Sequence, residues 1–244
     1  MFCTSVGLEC VFQALSMNKK VVALARNVSK LMVPPGSGGE SAGAALDTEL
    51  LTAFPGSVTN EADVERVFES SPDITSVIVA LGGRTKDVGP TMLTEGTRNI
   101  VRSMQKRNIK RVAVVTSIGT GDSIVQAPWT FKLLMWTVMR SIMADKNNQE
   151  RLFLGAEGIG SDLEYVIIRP GQLGEGAPTG VVTVIDGKAG SIHRSDLASF
   201  ILKSVLEKSF AYIRRAVSVS SVHGTSWKKD TSLAGFDKVT KLEL

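Results

Sequence analysis

The chain has little of several things that would announce a function at once. Among its 244 residues there are two cysteines, two histidines and two tyrosines, and aromatic residues make up only 6%. Cys3 and Cys10 cannot build a disulfide framework, so a reducing compartment is the default. His193 and His223 have no Cys, Asp or Glu at ligand spacing, which argues against a metal site. The formal net charge is +4, without a dense Lys/Arg block or basic–aromatic interleaving, so nucleic acid is not an expected partner. No basic segment followed by a long apolar run opens the chain, and no secretory signal is visible. The most apolar later stretch, 129–143, contains Lys132 and Arg140 and is too short to span a bilayer, so no membrane is expected either. Gly119–Asp122 lacks the Gly-Lys-Ser/Thr of a phosphate loop.

What is there is an apolar share of 43% arranged as a strand–helix alternation. It predicts one large α/β domain over residues 1–225, with a polar tail at 226–244. Leu8, Val11, Phe12 and Leu15 predict a first helix with one apolar face. Lys20–Arg26 (KVVALAR) follows as a buried strand. Asn27–Met32 allows at most a short helix, and 34–45 (PPGSGGESAGAA) is a surface loop by composition. Further strands are predicted at Glu49–Phe54, Ser76–Leu81, Arg111–Thr116, Tyr165–Arg169 and Ala216–Ser220. Helices are predicted after Asn60 as N-cap, over Leu93–Met104, and up to Leu206 with Ser195 as cap. Phe131, Leu134, Met135, Val138, Met139, Ile142 and Met143 keep helical spacing and predict one long helix with a core-facing stripe. Asp162, Glu164 and the charges at 145–151 read as a solvated edge. The class expected is a Rossmann-like, doubly wound parallel sheet.

In such sheets ligands lie outside the carboxyl ends of the strands. The residues at those ends are Arg26, Ser57 and Val58, Ala80–Gly83, Thr116–Ile118 and Arg169–Leu173. Most are small, polar or backbone-exposing, as a nucleotide lying across strand ends requires.

Several segments now come together: VVALARNVSKL (21–31), VIVALGG (77–83), EGTRNIVRSMQKRNIKRVAVVTSIGTGDS (95–123), DLEYVIIRPGQL (162–173) and IHRSDLASFIL (192–202). With them the chain resembles the atypical short-chain dehydrogenase/reductase proteins of the NAD(P)-binding NmrA-like and flavin- or biliverdin-reductase-like kind. Members of that group begin with a strand and a Gly-x-x-Gly-x-x-Gly turn. Aligned on the first helix, Gly7 matches the last of those glycines and the earlier two have no counterpart. The expectation is therefore a first strand that is truncated or missing, in a sequence incomplete at its amino end. The alternative is that residues 1–5 form a divergent, very short strand.

The resemblance also implies site residues. An Arg at the end of the second strand accommodates a 2′-phosphate where an acid would bind a ribose hydroxyl, so Arg26, with Lys30 one turn on, implies NADP over NAD. Ser57, followed by Val58, stands on the adenine side, where relatives often carry Asp. Ala80, Leu81, Gly82 and Gly83 pass the cofactor closely, or the two glycines simply end the strand. Thr116 and Ser117 orient the nicotinamide ribose, and Pro170, Gly171, Gln172 and Leu173 flank the carboxamide. Ser117 matches the catalytic Ser of the group, and Lys146 its Lys, unless Lys146 is only a solvent-facing residue. Ile142 occupies the Tyr position of the Tyr-x-x-x-Lys pair and transfers no proton. Two functions stay open. One is an oxidoreductase passing hydride from NADPH to a small redox or planar aromatic acceptor that takes its proton from water. The other is a non-catalytic NADP-binding sensor or assembly factor with a protein partner. A cytoplasmic location is expected, or an organelle if a targeting segment precedes the chain.

Overall fold

Alternate residues of the central strands face opposite cores. In β4 (Arg111–Val115), Val112 and Val114 enter one apolar cluster, while Ala113 and Val115 enter another. In β5 (Glu164–Pro170), Tyr165 and Ile167 join the first, and Val166 and Ile168 the second. A parallel strand buried on both faces has to alternate in this way. The first core is closed by α2 (Glu61–Glu69), by α3 (Met92–Lys106) and by Leu152 and Phe153, which follow α5 (Arg140–Arg151). The second is closed by α1 (Ser5–Ser16) and α6 (Arg194–Leu206). Helices on both faces are the doubly wound arrangement expected. The computed structural model describes residues 5–82 and 89–221. Cys3, Gly83, His223 and the tail at 226–244 lie outside them.

β3 (Ser76–Val79), β4, β5, β9 (Arg215–Ser220) and β7 (Thr183–Ile185) form one sheet in the order β3-β4-β5-β9-β7. Every pairing in it is parallel except that of β7 with β9. β1 (Val21–Ala25) pairs in parallel with β2 (Leu51–Pro55), and β6 (Gln172–Gly174) with β8 (Ser191–His193). Among the described residues no strand joins β1 to β3. A cavity of about 340 Å³ lies between them, lined by Val21, Val22 and Leu24 on one side and Ser76, Val77 and Ile78 on the other. Lys20 and Thr75, the residues just before the two strands, line the same cavity along with Val21, Val22, Ser76 and Val77, so β1 and β3 run in one sense. Arg26 and Gly82 therefore emerge at a common rim.

The predicted strands and most predicted helices are present within a residue or two. Asn60 caps α2 by accepting from the Ala62 N–H at 3.0 Å, and Asn27 caps a 3₁₀ turn over Val28–Lys30. Four readings need correction. Helix α1 is buried nearly all round, because its polar residues are paired rather than solvated. Glu9 accepts from the Gly36 and Ser37 N–H groups, and Gln13 bonds to Ser37, the Ser195 carbonyl and Ser199. Helix α6 opens at Arg194, so Ser195 lies inside it and donates to the Gly176 carbonyl instead of capping.

The long helix expected over 131–143 is two helices, α4 (Trp129–Trp136) and α5. Thr137 bonds back to the Leu133 carbonyl and takes φ −100°, ψ −84°, which turns the axis. Residues of the sequence stripe then no longer share a face: Met135 and Met143 are buried, whereas Leu134 and Val138 are exposed. The solvated edge holds for Asp162 and Glu164 but not for 145–151, where Asp145, Gln149 and Glu150 are buried. The strands β6, β7 and β8 are three residues each, too short to leave a periodic signal.

Gly96, midway along α3, has no room for a side chain, since an added Cβ would enter the isopropyl group of buried Val58. Replacing an interior helix Gly by Ala ordinarily gains about 0.5–1 kcal/mol, but overpacking costs about 1–3 kcal/mol. Gly96→Ala is expected to lower the stability measured by urea unfolding; a gain would show that Val58 gives way freely.

Candidate functional site

The register of β3, β4 and β5 puts their carboxyl ends side by side, with Val79 opposite Val114 and Val115 opposite Ile168. The segments that leave those ends stay joined. Thr116 N–H donates to the Ile168 carbonyl at 2.9 Å, and Ile118 N–H to that of Pro170 at 3.0 Å. β2 ends level with β1, Pro55 opposite Ala25, so Ser57 and Val58 come off the same rim as Arg26. Helix α1 runs back from that rim, with Gly7 buried in its first turn.

The sequence-derived residues that the structure describes are thus gathered along one edge, but they do different things there. Arg26 and Lys30 are exposed and form no ion pair among the described residues. Ser57 takes the Asp63 carboxylate on its N–H at 2.8 Å. Val58 turns its side chain into the core, and its carbonyl accepts from Asn99. Ala80 and Leu81 are buried floor residues beneath half-buried Gly82. Pro170 is buried as well. Gly171 is required by a close approach, since a Cβ there would strike the Gly190 carbonyl, and its N–H donates to Val219. The Gln172 N–H is engaged by Gly190 at 3.0 Å, and Leu173 is paired with Ile192 in the β6–β8 ribbon. A carboxamide seated beside Gln172 would compete with that ribbon for the N–H.

Lys146 projects from α5, and its Nζ donates to the Thr116 carbonyl at 2.8 Å. Removal from water pushes its pKa down to about 8, although Glu150 and Asp145 pull the other way. Next to Thr116, Ser117 is half-buried, and its hydroxyl has no partner among the described residues. Ile142, one turn before Lys146, is partly buried against the first core. Tyr165 packs on Phe153, with ring centroids 5.5 Å apart, and Tyr212 on Phe200 and Phe210. Both tyrosines of the chain therefore sit in apolar clusters, and neither forms a pair with Lys146.

Beneath this row lies a buried charged group that the sequence reading missed. The Glu150 carboxylate, 2% exposed, accepts from Thr116 Oγ1 at 2.7 Å and Thr120 Oγ1 at 2.5 Å. It also accepts from Arg169 Nε at 3.0 Å and Nη2 at 2.6 Å. Arg169 reaches on to Asp122 at 2.5 Å. Asp145 accepts the free N–H groups of Leu93 and Thr94 at the start of α3, at 2.8 and 3.0 Å, where a carboxylate is favoured. One signal was available: Asp145 with Gln149, and Lys146 with Glu150, are two polar i, i+4 pairs sharing a helix face. Among the described residues no group of three or more His, Cys, Asp or Glu could hold a metal, and His193 lies 3.0 Å from the Ala177 carbonyl.

The rim thus combines small residues beside buried Ala80 and Leu81, two cations (Arg26 and Lys30) with no ion pair among the described residues, and a lysine held on a carbonyl. Removing one partner of a buried ion pair leaves the other uncompensated, at about 3–5 kcal/mol. Glu150→Leu is expected to cost that much in urea unfolding, and Arg169→Met added to it to restore part of the loss. Additive losses would mean that the two charges do not act as a pair.

Residues 4–208 match the profile of the NAD(P)H-binding family. Among solved structures, ChuY, an anaerobillin reductase from Escherichia coli O157:H7, is 23% identical with a TM-score of 0.66, over 94% of this chain and 98% of that one. The oxidoreductase YlbE from Lactococcus lactis is 18% identical with a TM-score of 0.66, over 90% and 89%. A short-chain dehydrogenase/reductase from Veillonella parvula in complex with NADP is 17% identical with a TM-score of 0.62, over 91% and 94%. At these identities the likeness is one of fold. With that profile matched over residues 4–208, most of its length, the chain belongs to the NAD(P)H-binding family.

Proposed function

We propose that this chain is an NADP-dependent oxidoreductase that reduces a small planar, conjugated acceptor without a tyrosine proton relay. The observation that carries the cofactor preference is Arg26, exposed at the carboxyl end of β1 and joined to no carboxylate among the described residues. A guanidinium placed there pairs with a 2′-phosphate through charge-assisted hydrogen bonds. When bound, the reduced nicotinamide supplies a hydride. This chain holds its ribose through Lys146 and Ser117, with Thr116 fixed beneath them by Glu150. The acceptor gains the hydride from the cofactor and a proton from water, so no side chain has to donate one. Flavins and linear tetrapyrroles are acceptors of this kind. The name of the similar protein ChuY and the NADP in the Veillonella complex agree with the reading.

The second reading, a cofactor sensor without turnover, draws on Ile142 standing where the relay needs a hydroxyl. Anaerobic mixing of NADPH with flavin or bilin acceptors separates the two. Tight binding with no oxidation of NADPH would leave the sensor.

Arg26→Ala is expected to weaken NADPH binding about tenfold or more, the loss of one charge-assisted contact, and to leave NADH nearly unchanged. An equal loss for both would remove the assignment of the 2′-phosphate. Lys146 carries its charge only below about pH 8, so kcat/KM for NADPH is expected to fall above that pH, and Lys146→Met to erase that limb. Stability runs the other way. The unfolded chain holds this proton up to the ordinary 10.5, so the cost of burying Lys146 is full below about pH 8 and is relieved between 8 and 10.5. The gain in Tm from Lys146→Met should therefore shrink as pH rises across that window.

A further inference from the structure

From Ser123 to Ala144 the chain contains no Asp or Glu, and its charges are Lys132 and Arg140. Within this segment α4 turns Met135 inward, while Phe131 packs on the cluster of Ile118, Ile185 and Ala189. Its opposite face is apolar too. Trp129, Leu133 and Trp136 follow at i, i+4 and i+7 and form one outward stripe. Trp129 is 77% exposed and Trp136 82%, and Val138, just beyond the helix, is 82% exposed. Surface helices of soluble proteins present polar residues outward, and a contiguous apolar face marks a docking surface.

We propose that this face seats on an anionic lipid surface, with α4 lying in the plane of the headgroups. Three features select that occupant. Tryptophan at both ends of the stripe combines an apolar body with a polar N–H, which suits the boundary between acyl chains and headgroups. Lys132 stands beside the stripe and Arg140 follows it, and cations at the border of an apolar face complement anionic headgroups. A second copy is the poorer partner. A two-fold contact through this face would place four cations, Lys132 and Arg140 of each copy, on one interface with no carboxylate from the segment to offset them. At eight residues α4 lies on a bilayer rather than across it, consistent with the absence of any spanning helix among the described residues. The lack of a spanning run, which set aside a membrane in the sequence, does not bear on attachment of this kind. The proposal is independent of whether the rim reduces anything.

The test is co-sedimentation of the full chain with phosphatidylcholine vesicles, with and without phosphatidylserine, followed by tryptophan emission in a Trp227→Phe background. The expected result is binding to the anionic vesicles, a blue shift on binding, and weakening by salt. Trp129→Ser with Trp136→Ser removes only outward-facing rings, so the fold should persist by circular dichroism while the partition coefficient falls about tenfold or more. Lys132→Glu with Arg140→Glu should abolish the preference for anionic vesicles. No binding to either vesicle, or unchanged binding of the double tryptophan variant, would overturn the proposal. So would a dimer in light scattering that the tryptophan substitutions dissociate, because the face would then be a self-association surface.

Discussion

One buried carboxylate sets the geometry on which the candidate site depends. Glu150 takes hydrogen bonds from two threonines and two guanidinium nitrogens, and those donors come from two separate places in the chain, the turn after β4 and the end of β5. Satisfying all of them ties α5 to the ends of β4 and β5 and to the turn that begins at Thr116. Lys146 sits one turn earlier on the same helix, so its reach to the Thr116 carbonyl follows from that anchoring. Desolvating such a charge is worthwhile only with near-complete pairing, which the arrangement supplies. Asp145 does the same on the neighbouring face, holding the start of α3 to α5.

The core was the most legible part of the sequence. Runs such as 111–116 and 165–169 can hardly be anything but strands covered on both faces, and the alternation of their side chains between two clusters follows directly. Reading failed where a residue's role depends on partners distant in sequence. Glu9 and Gln13 look like the wet side of α1 until the loop at 36–37 and the start of α6 arrive to pair with them. The break at Thr137 is set by a local hydroxyl bond and a turn of the axis, which spacing alone does not record.

The site divides in the same way. Arg26 and Ser117 could be singled out because each stands just past a strand end, and strand ends are readable; Lys146, on a helix far from any strand end, was singled out by the resemblance alone. The roles of Val58 and Gln172 were not legible, since one is decided by which way a side chain faces and the other by a short ribbon without periodicity. Glu150 and Arg169 escaped for a different reason. Charges on a helix and at a strand end are usually solvated, and only the tertiary fold shows that these two are sealed beneath the rim.

The seam between β1 and β3 has a mechanical consequence. Hydrogen-bonded rungs resist shear between neighbouring strands, whereas apolar side chains slide past one another with little penalty. Among the described residues the seam has no rungs, and β1 meets the larger sheet through apolar side chains, with Val22 and Leu24 in the same cluster as Val77 and Val79. The β1–β2 pair carries Arg26, and the larger sheet carries Ser117 and the carbonyl that holds Lys146. Among the described residues, then, the distance from Arg26 to Ser117 is held by side-chain packing and not by a ladder, so a ligand long enough to touch both would brace the seam from outside.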